Sequence, residues 1–126
     1  MGLKISFPKK KYELLKRGAV HSGLYQIRAL RDFGDIKKGQ LGGFVEGEHN
    51  LSHDGKCWIA DDAIVSGQAR VSENALISDS ACIGGNVKIK GEARIAGWIE
   101  LNGETEISGR MHVHSQPPDL GRPFSP

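Results

Sequence analysis

The sequence is poor in aromatic residues, cysteine and long apolar runs, and each shortage argues against a class of protein. Aromatic residues make up 6% of 126 positions, and the formal net charge is only +2. Cys57 and Cys82 lack CxxC spacing and a histidine at a zinc-site offset, so we expect free thiols in a reducing compartment and no metal. No stretch approaches the ~20 apolar residues of a membrane span, and no signal-peptide run begins the chain. We therefore expect a cytoplasmic protein without membrane or nucleic-acid partners.

An aliphatic residue returns at every sixth position over about half of the chain. The residues of this aliphatic row are Ile59, Val65, Val71, Ile77, Ile83, Ile89, Ile95, Leu101, Ile107 and Val113. A second row, the small-residue row, lies four positions after each of them and begins with Ala63, Ala69 and Ala75. A fixed interval of this kind predicts a stacked repeat in which each unit buries its apolar edge against the next.

An interval of six matches neither the alternation of a plain strand nor the 3.6-residue period of a helix. It fits a coil with three flat sides, each of which turns two of its six residues inward. Neighbouring coils would pair as parallel strands about 4.8 Å apart, with like residues stacked. Glycine or a small polar residue, suited to a sharp bend, lies near the corners at Gly67, Asn74, Gly85, Gly91, Gly97, Gly103 and Gly109.

The chain divides into three segments. Residues 1–40 contain strand-like pieces at 4–7, 12–16 and 25–30 and predict a β-hairpin cap with a connection. Residues 41–115 form the repeat, and the proline-rich residues 116–126 form a tail.

The repeat phase also extends backward into a degenerate first coil, as expected of a terminal repeat. Val45, Leu51 and Cys57 fall in the small-residue row, whereas Leu41, Gly47 and His53 fall in the aliphatic row. Of the latter three, only Leu41 suits an inward position. We expect His53 to be a hydrogen-bonded histidine at the end of the core.

Residues 65–71 and 89–95 follow the pattern aliphatic, small, any, any, small, any. In this pattern the sequence resembles the hexapeptide-repeat proteins, which form a left-handed parallel β-helix. The resemblance covers residues 41–113 and implies an all-β left-handed parallel β-helix of about four coils, with the N-terminal β-hairpin as its cap.

Residues 27–35, 41–46, 50–52 and Trp58 carry a narrower likeness. They are similar to a group of phage, prophage and bacterial proteins with an N-terminal strand cap, mostly of unassigned function. This resemblance implies a phage or prophage protein that acts in the host cytosol.

Coils of 18 residues sort the outward positions into three columns. They are Trp58, Leu76, Arg94 and His112; then Ile64, Cys82 and Glu100; then Arg70, Lys88 and Glu106. The apolar members Trp58, Ile64, Leu76 and Cys82 form a patch that needs a cover. The hairpin residues Tyr25, Ile27 and Phe33 are one candidate cover, and another subunit is the other. Since hexapeptide-repeat proteins commonly form trimers, we favour an interface in a homo-oligomer, a dimer or a trimer.

Four residues are candidates for binding a partner: Trp98, Arg94, His112 and His114. Trp98 occupies a corner position that polar residues hold elsewhere, so it suits an anchor for a partner or for the tail. His112 and His114 alternate on one strand and could hold a metal across a symmetric interface. Solvated side chains at the end of the last coil are the commoner explanation.

The sequence contains few residues in a pattern typical of catalysis. Resemblance to hexapeptide acyltransferases implies a histidine in a cleft between subunits and a loop that leaves the coil, and the repeat has no such loop. No nucleotide-binding or nucleophile motif is present. We therefore predict a non-catalytic interaction module without a cofactor, which binds and inhibits a host defence protein. One alternative is an acyltransferase that uses acyl-coenzyme A with His53 or His114, and another is a structural component of a particle or polymer.

Overall fold

The computed structural model describes residues 10–16 and 23–115, which form thirteen β-strands and one short 3-10 turn, Glu48–Asn50. The longer strands at the N-terminal side are β1 (Tyr12–Lys16), β2 (Tyr25–Ala29) and β3 (Leu41–Val45). The other strands are β4 (Trp58–Ile59), β5 (Ile64–Val65), β6 (Arg70–Val71), β7 (Leu76–Ile77), β8 (Cys82–Ile83), β9 (Lys88–Ile89), β10 (Arg94–Gly97), β11 (Glu100–Leu101), β12 (Glu106–Ile107) and β13 (His112–Ser115). The strand expected at residues 4–7 lies outside the described residues.

These strands form three sheets that are the faces of a prism. The six-stranded sheet has the order β1-β2-β3-β5-β8-β11, the four-stranded sheet β13-β10-β7-β4, and the three-stranded sheet β12-β9-β6. Each strand from β4 to β10 pairs in parallel with the strand one coil later, as Val71 does with Ile89 and Ile89 with Ile107. The predicted fold is confirmed as an all-β parallel solenoid of about four turns, consistent with a left-handed β-helix.

The interior of the prism is a ladder of branched aliphatic side chains. Ile59, Val65, Val71, Ile77, Ile83, Ile89 and Ile95 are at most 1% exposed. Alanines of the small-residue row fill the space between them, from Ala63 to Ala93. Burying one such aliphatic side chain contributes roughly 1.5–3 kcal/mol, so the ladder is the main source of stability in this half of the chain.

The corners of the prism adopt left-handed backbone angles, and here one expectation was wrong. At the corner between β6 and β7, Glu73 takes the positive φ of 60°, and not its neighbour Asn74. Asp61 and Asp79 do the same with φ of 57° and 60°. The carboxylates explain the choice, because each accepts a backbone N–H from the corner one coil later. Glu73 accepts from Gly91 at 3.1 Å, and Asp79 accepts from Gly97 at 2.9 Å.

The phase expected for the first coil was also wrong. Val45 pairs with Val65, and Leu51 forms a bridge with Val71, so partners here are 20 positions apart instead of 18. Both residues are fully buried and continue the aliphatic ladder, whereas Leu41 is 47% exposed. The two additional residues lie between Leu51 and β4, in the turn that contains Gly55 with φ of 72°.

The antiparallel strands β1, β2 and β3 extend the six-stranded sheet, since β3 pairs in parallel with β5. Lys11, which precedes β1, is fully buried, and its Nζ donates to the carbonyl oxygens of Cys57 at 2.7 Å and Gly55 at 3.3 Å. Burial lowers the pKa of Lys11 and raises that of the Cys57 thiol. The Tyr12 hydroxyl donates to the Leu51 carbonyl at 2.5 Å. Buried polar contacts therefore join β1 to the first coil.

No helix in the described ranges is long and apolar enough to cross a membrane.

Candidate binding groove

A groove of about 510 Å³ lies on the outer face of the four-stranded sheet. Its floor is made by Leu76, Arg94 and His112, which are Cα partners on β7, β10 and β13. The 18-residue column predicted from the sequence therefore forms one continuous strip. Because neighbouring strands are about 4.8 Å apart, the strip spans roughly 10 Å from Leu76 to His112.

One wall of the groove is the loop at residues 33–36. Phe33 and Ile36 exchange backbone hydrogen bonds of 2.9 and 2.8 Å, and Gly34 makes the turn between them with φ of 51°. Both apolar side chains are half-buried and line the groove beside Leu76. The backbone bonds fix the loop, so the apolar end of the groove is already formed without a ligand.

Charged side chains surround the other part of the groove. Arg94, Arg110, His112 and Glu92 line this part, whereas Lys56 and Asp35 lie at the apolar end, where the Lys56 side chain packs beside Gly34. Arg110 lies 3.6 Å from Glu92, but both side chains are more than half exposed, so this pair is weak. Within residues 10–16 and 23–115, neither Arg94 nor Lys56 makes an ion pair through its side chain. The groove therefore changes from apolar to cationic along its length.

The structure corrects the expectation that Trp58 lies at a subunit interface. Trp58 is 1% exposed, because Phe33 packs edge-on against its ring at 5.3 Å and β3 crosses beside it. A Cβ on Gly42 would lie 2.7 Å from the indole, so only glycine permits this crossing. The hairpin side of the chain, and not another subunit, covers this tryptophan. Its Nε1–H has no hydrogen-bond partner in the described part of the chain.

The other members of the predicted apolar patch are half-buried. Leu76 lines the groove, whereas Ile64 and Cys82 are Cα partners on the six-stranded sheet, next to Phe44 on β3. Partial burial raises the pKa of the Cys82 thiol. An interface at Ile64, Leu76 and Cys82 stays a prediction.

The four partner-binding candidates separate into two pairs. Arg94 and His112 lie in the groove, whereas Trp98 and His114 line a shallower depression of about 450 Å³ with Asp61, Asp62 and Asp79. Trp98 is 58% exposed at its corner. The two histidines thus face different depressions. Among the described residues no group of three histidine, cysteine or acidic side chains is placed to hold a metal ion.

His53 has both ring nitrogens engaged. Nδ1 accepts the backbone N–H of Lys11 at 3.0 Å, which leaves Nε2 to carry the proton and donate to Glu48 Oε1 at 2.7 Å. The ring also stacks on Tyr12, with centroids 4.1 Å apart and an interplanar angle of 11°. Because no lone pair is free, His53 cannot act as a general base in this arrangement.

Sequence reasoning missed part of the groove. Lys56 and Arg110 form a fourth column with Asn74 and Glu92, and the same sorting at 18-residue intervals could have found it. Ile36 and the wall it forms with Phe33 could not be found in this way, because the loop lies outside the repeat.

No family model matches the chain. A stretch of 54 residues is 40% identical to the uncharacterized acetyltransferase YdcK of Escherichia coli strain K12. The match covers 37% of this chain and 17% of that protein, so the two share only a small part of the relative's length. Together with the stacked parallel sheets, this likeness fits a hexapeptide-repeat β-helix.

Proposed function

We propose that the protein is a non-catalytic interaction module that binds a partner protein in the groove of its four-stranded sheet. The observation that carries the proposal is the preformed contact surface, in which Phe33, Ile36 and Leu76 adjoin Arg94, whose guanidinium makes no ion pair with a described residue. The stacked strands and the hydrogen-bonded loop hold these groups in place before binding. A preorganised site loses less conformational entropy on association and so binds more tightly for the same contacts.

The state of His53 supports binding over catalysis. Both of its ring nitrogens are occupied by Lys11 and Glu48, so one of the two histidines considered for acyl transfer is used to join β1 to the first coil.

The test is selection of ligands from a displayed library of random twelve-residue peptides. Wild type is expected to enrich peptides that do not bind the double variant Leu76→Asp/Arg94→Glu. The single variant Arg94→Glu, at an exposed position, is a second measurement in case the double variant unfolds. Lys88→Glu, an exposed charge reversal on the three-stranded sheet, is the control and should bind like wild type. Peptides that bind all variants equally would contradict the proposal.

A narrower proposal is that the protein is phage or prophage encoded and inhibits a host defence protein. It rests on the sequence resemblance of residues 27–35 and 41–46 to a group of phage, prophage and bacterial proteins. Expression of wild type in bacteria that carry defined defence systems should restore phage plating in one of them, and Arg94→Glu should not. Plating that both proteins restore equally would refute a role for the groove.

Self-association remains part of the proposal, supported by half-buried Ile64 and Cys82 on the outer face of the six-stranded sheet. Light scattering should give the mass of a dimer or trimer, and Ile64→Asp should reduce it. A wild-type protein that is monomeric at every concentration would contradict this part.

The second candidate function is acyl transfer, which the likeness to YdcK favours. His114, exposed beside Trp98, would be the histidine involved. Calorimetry with acetyl-coenzyme A distinguishes the two functions. Tight binding that His114→Ala abolishes would favour the enzyme, whereas no heat of binding would favour the module.

A further inference from the structure

The order of side chains along the groove indicates which kind of partner segment fits it. The apolar end has Phe33, Ile36 and Leu76, all half-buried, above the covered ring of Trp58. A bulky apolar side chain placed here would displace water from three apolar surfaces at once. A small polar side chain would bury little apolar surface at this end and would gain little hydrophobic free energy of binding.

The other end favours carboxylates. Arg94 is exposed and makes no ion pair with any residue that the structure describes. Glu92 lies 3.6 Å from Arg110 and their weak pair offsets part of each charge, whereas Asp35 lies at the apolar end, in the loop at residues 33–36. A guanidinium binds a carboxylate through two parallel hydrogen bonds, so Arg94 can fix the position of an acidic side chain.

The distances set the spacing. Arg94 lies about 4.8 Å and His112 about 10 Å from Leu76 along the strip. In an extended peptide, residues i and i+2 point to the same side and are about 6.6 Å apart. A residue two positions after the apolar one therefore comes between Arg94 and His112.

We propose that the groove binds an extended acidic segment of a partner protein, in which a bulky apolar residue is followed two positions later by aspartate or glutamate. This inference rests on the proposed interaction module and names its partner by chemistry. The apolar residue contacts Phe33, Ile36 and Leu76, and the carboxylate pairs with Arg94.

Fluorescence polarisation with labelled peptides tests the inference. The probe carries the core Leu-Ser-Asp-Asp between Gly-Ser flanks, and the matched controls carry Leu-Ser-Lys-Lys or Ser-Ser-Asp-Asp. Wild type should bind the probe at least tenfold more tightly than either control, and binding should weaken as salt is raised, because exposed charges are screened. Lys88→Glu, outside the groove, should leave the affinity unchanged.

Charge reversal gives the sharpest result. Arg94→Glu should weaken binding of the probe at least tenfold and strengthen binding of the Leu-Ser-Lys-Lys peptide, an exchange that simple loss of folding cannot produce. Unchanged probe binding in Arg94→Glu would overturn the inference. Equal binding of Ser-Ser-Asp-Asp, or displacement of the probe by citrate, would indicate a simple anion site and would overturn it as well.

The peptide selection described above separates this inference from the function beneath it. If the selected peptides depend on the groove but are neutral or basic, the module stands and the acidic segment is wrong. If no selected peptide depends on the groove, both are wrong.

Discussion

The β-helix from β4 onward and the region before it are stabilised in different ways. In the β-helix the same aliphatic contact recurs every 18 residues, so each coil is held mainly by its neighbours. Before β4, single buried polar groups join segments that are far apart in sequence, as Lys11 does with Cys57 and Tyr12 with Leu51. The coils of a repeat are therefore stabilised by the same contact at every level. The N-terminal strands need specific buried hydrogen bonds to hold them on the first coil.

Asn50 illustrates the second kind of contact. Its Nδ2 donates to the Ala69 carbonyl at 2.8 Å, and its Oδ1 accepts the Glu46 N–H at 2.9 Å. The buried amide thus satisfies backbone groups of two coils where the regular strand pairing is interrupted. Polar side chains substitute here for the ladder of backbone hydrogen bonds that the regular coils have.

The largest effect is expected in the repeated ladder. Ile77→Ala removes a fully buried side chain between two coils and should lower the free energy of unfolding by about 3 kcal/mol. Ile64→Ala, at a half-buried outward position, is the matched control and should cost about 1 kcal/mol. Urea unfolding measures both. Equal losses would mean that the interior ladder does not dominate this region.

The second-largest effect is expected where buried polar contacts join β1 to the first coil. Lys11→Ala leaves the buried Cys57 carbonyl without its side-chain donor and should cost about 2 kcal/mol. Its sequence neighbour Lys10 forms an exposed ion pair with Glu48, so Lys10→Ala should cost under about 1 kcal/mol. Thermal unfolding of the two variants compares adjacent lysines. A Lys11→Ala variant as stable as Lys10→Ala would contradict the role given to the buried contacts.

The corners give a smaller effect. Gly103→Ala meets no atom within 4 Å but keeps a φ of +87°, so it isolates the cost of the left-handed angle, about 1 kcal/mol. At Gly85 an added Cβ would also lie 2.6 Å from the Gly103 nitrogen, so Gly85→Ala should be the more destabilising of the two. Denaturation midpoints check this order. The reverse order would mean that the coils can separate at this corner at little cost.

The smallest effect concerns pH at the N-terminal side. Hydrogen bonding from His53, and then from Lys10, lowers the pKa of Glu48 below its usual 4.5. A lowered carboxyl pKa stabilises the fold above pH 4.5, and this contribution is lost as the pH falls through the folded-state value. Glu48→Gln should therefore destabilise by under about 1 kcal/mol at pH 7 and by less at pH 3. Urea unfolding at both pH values tests the sign, and a larger loss at pH 3 would refute it.

Much of the fold could be predicted from the sequence because the aliphatic row has no insertion between Ile59 and Val113. Counting by 18 then places Leu76, Arg94 and His112 on one strip, and the structure pairs them in that order. The phase of the first coil could not be predicted in this way. Val45 and Leu51 suit either row, and only the pairing across coils shows that two additional residues precede β4.

Only one part of the groove could be predicted from the sequence. Its floor follows from the repeat, but its wall depends on the path of residues 33–36, which no period governs. The cover of Trp58 was open to two interpretations for the same reason. Trp58 is covered by the Phe33 ring and by the close approach of β3 at Gly42. Both contacts join segments that an irregular connection separates, so the repeat period does not predict them.

By itself, the sequence determined the prism, its buried ladder and the identity of the outward columns, because a six-residue period leaves one way to keep like residues in register. The tertiary structure alone decided which acidic residues turn the corners, where the first coil begins and which apolar positions stay open to a partner. These depend on how a non-repeating segment packs across the repeat, and that packing is set by shape and buried hydrogen bonds instead of by periodicity.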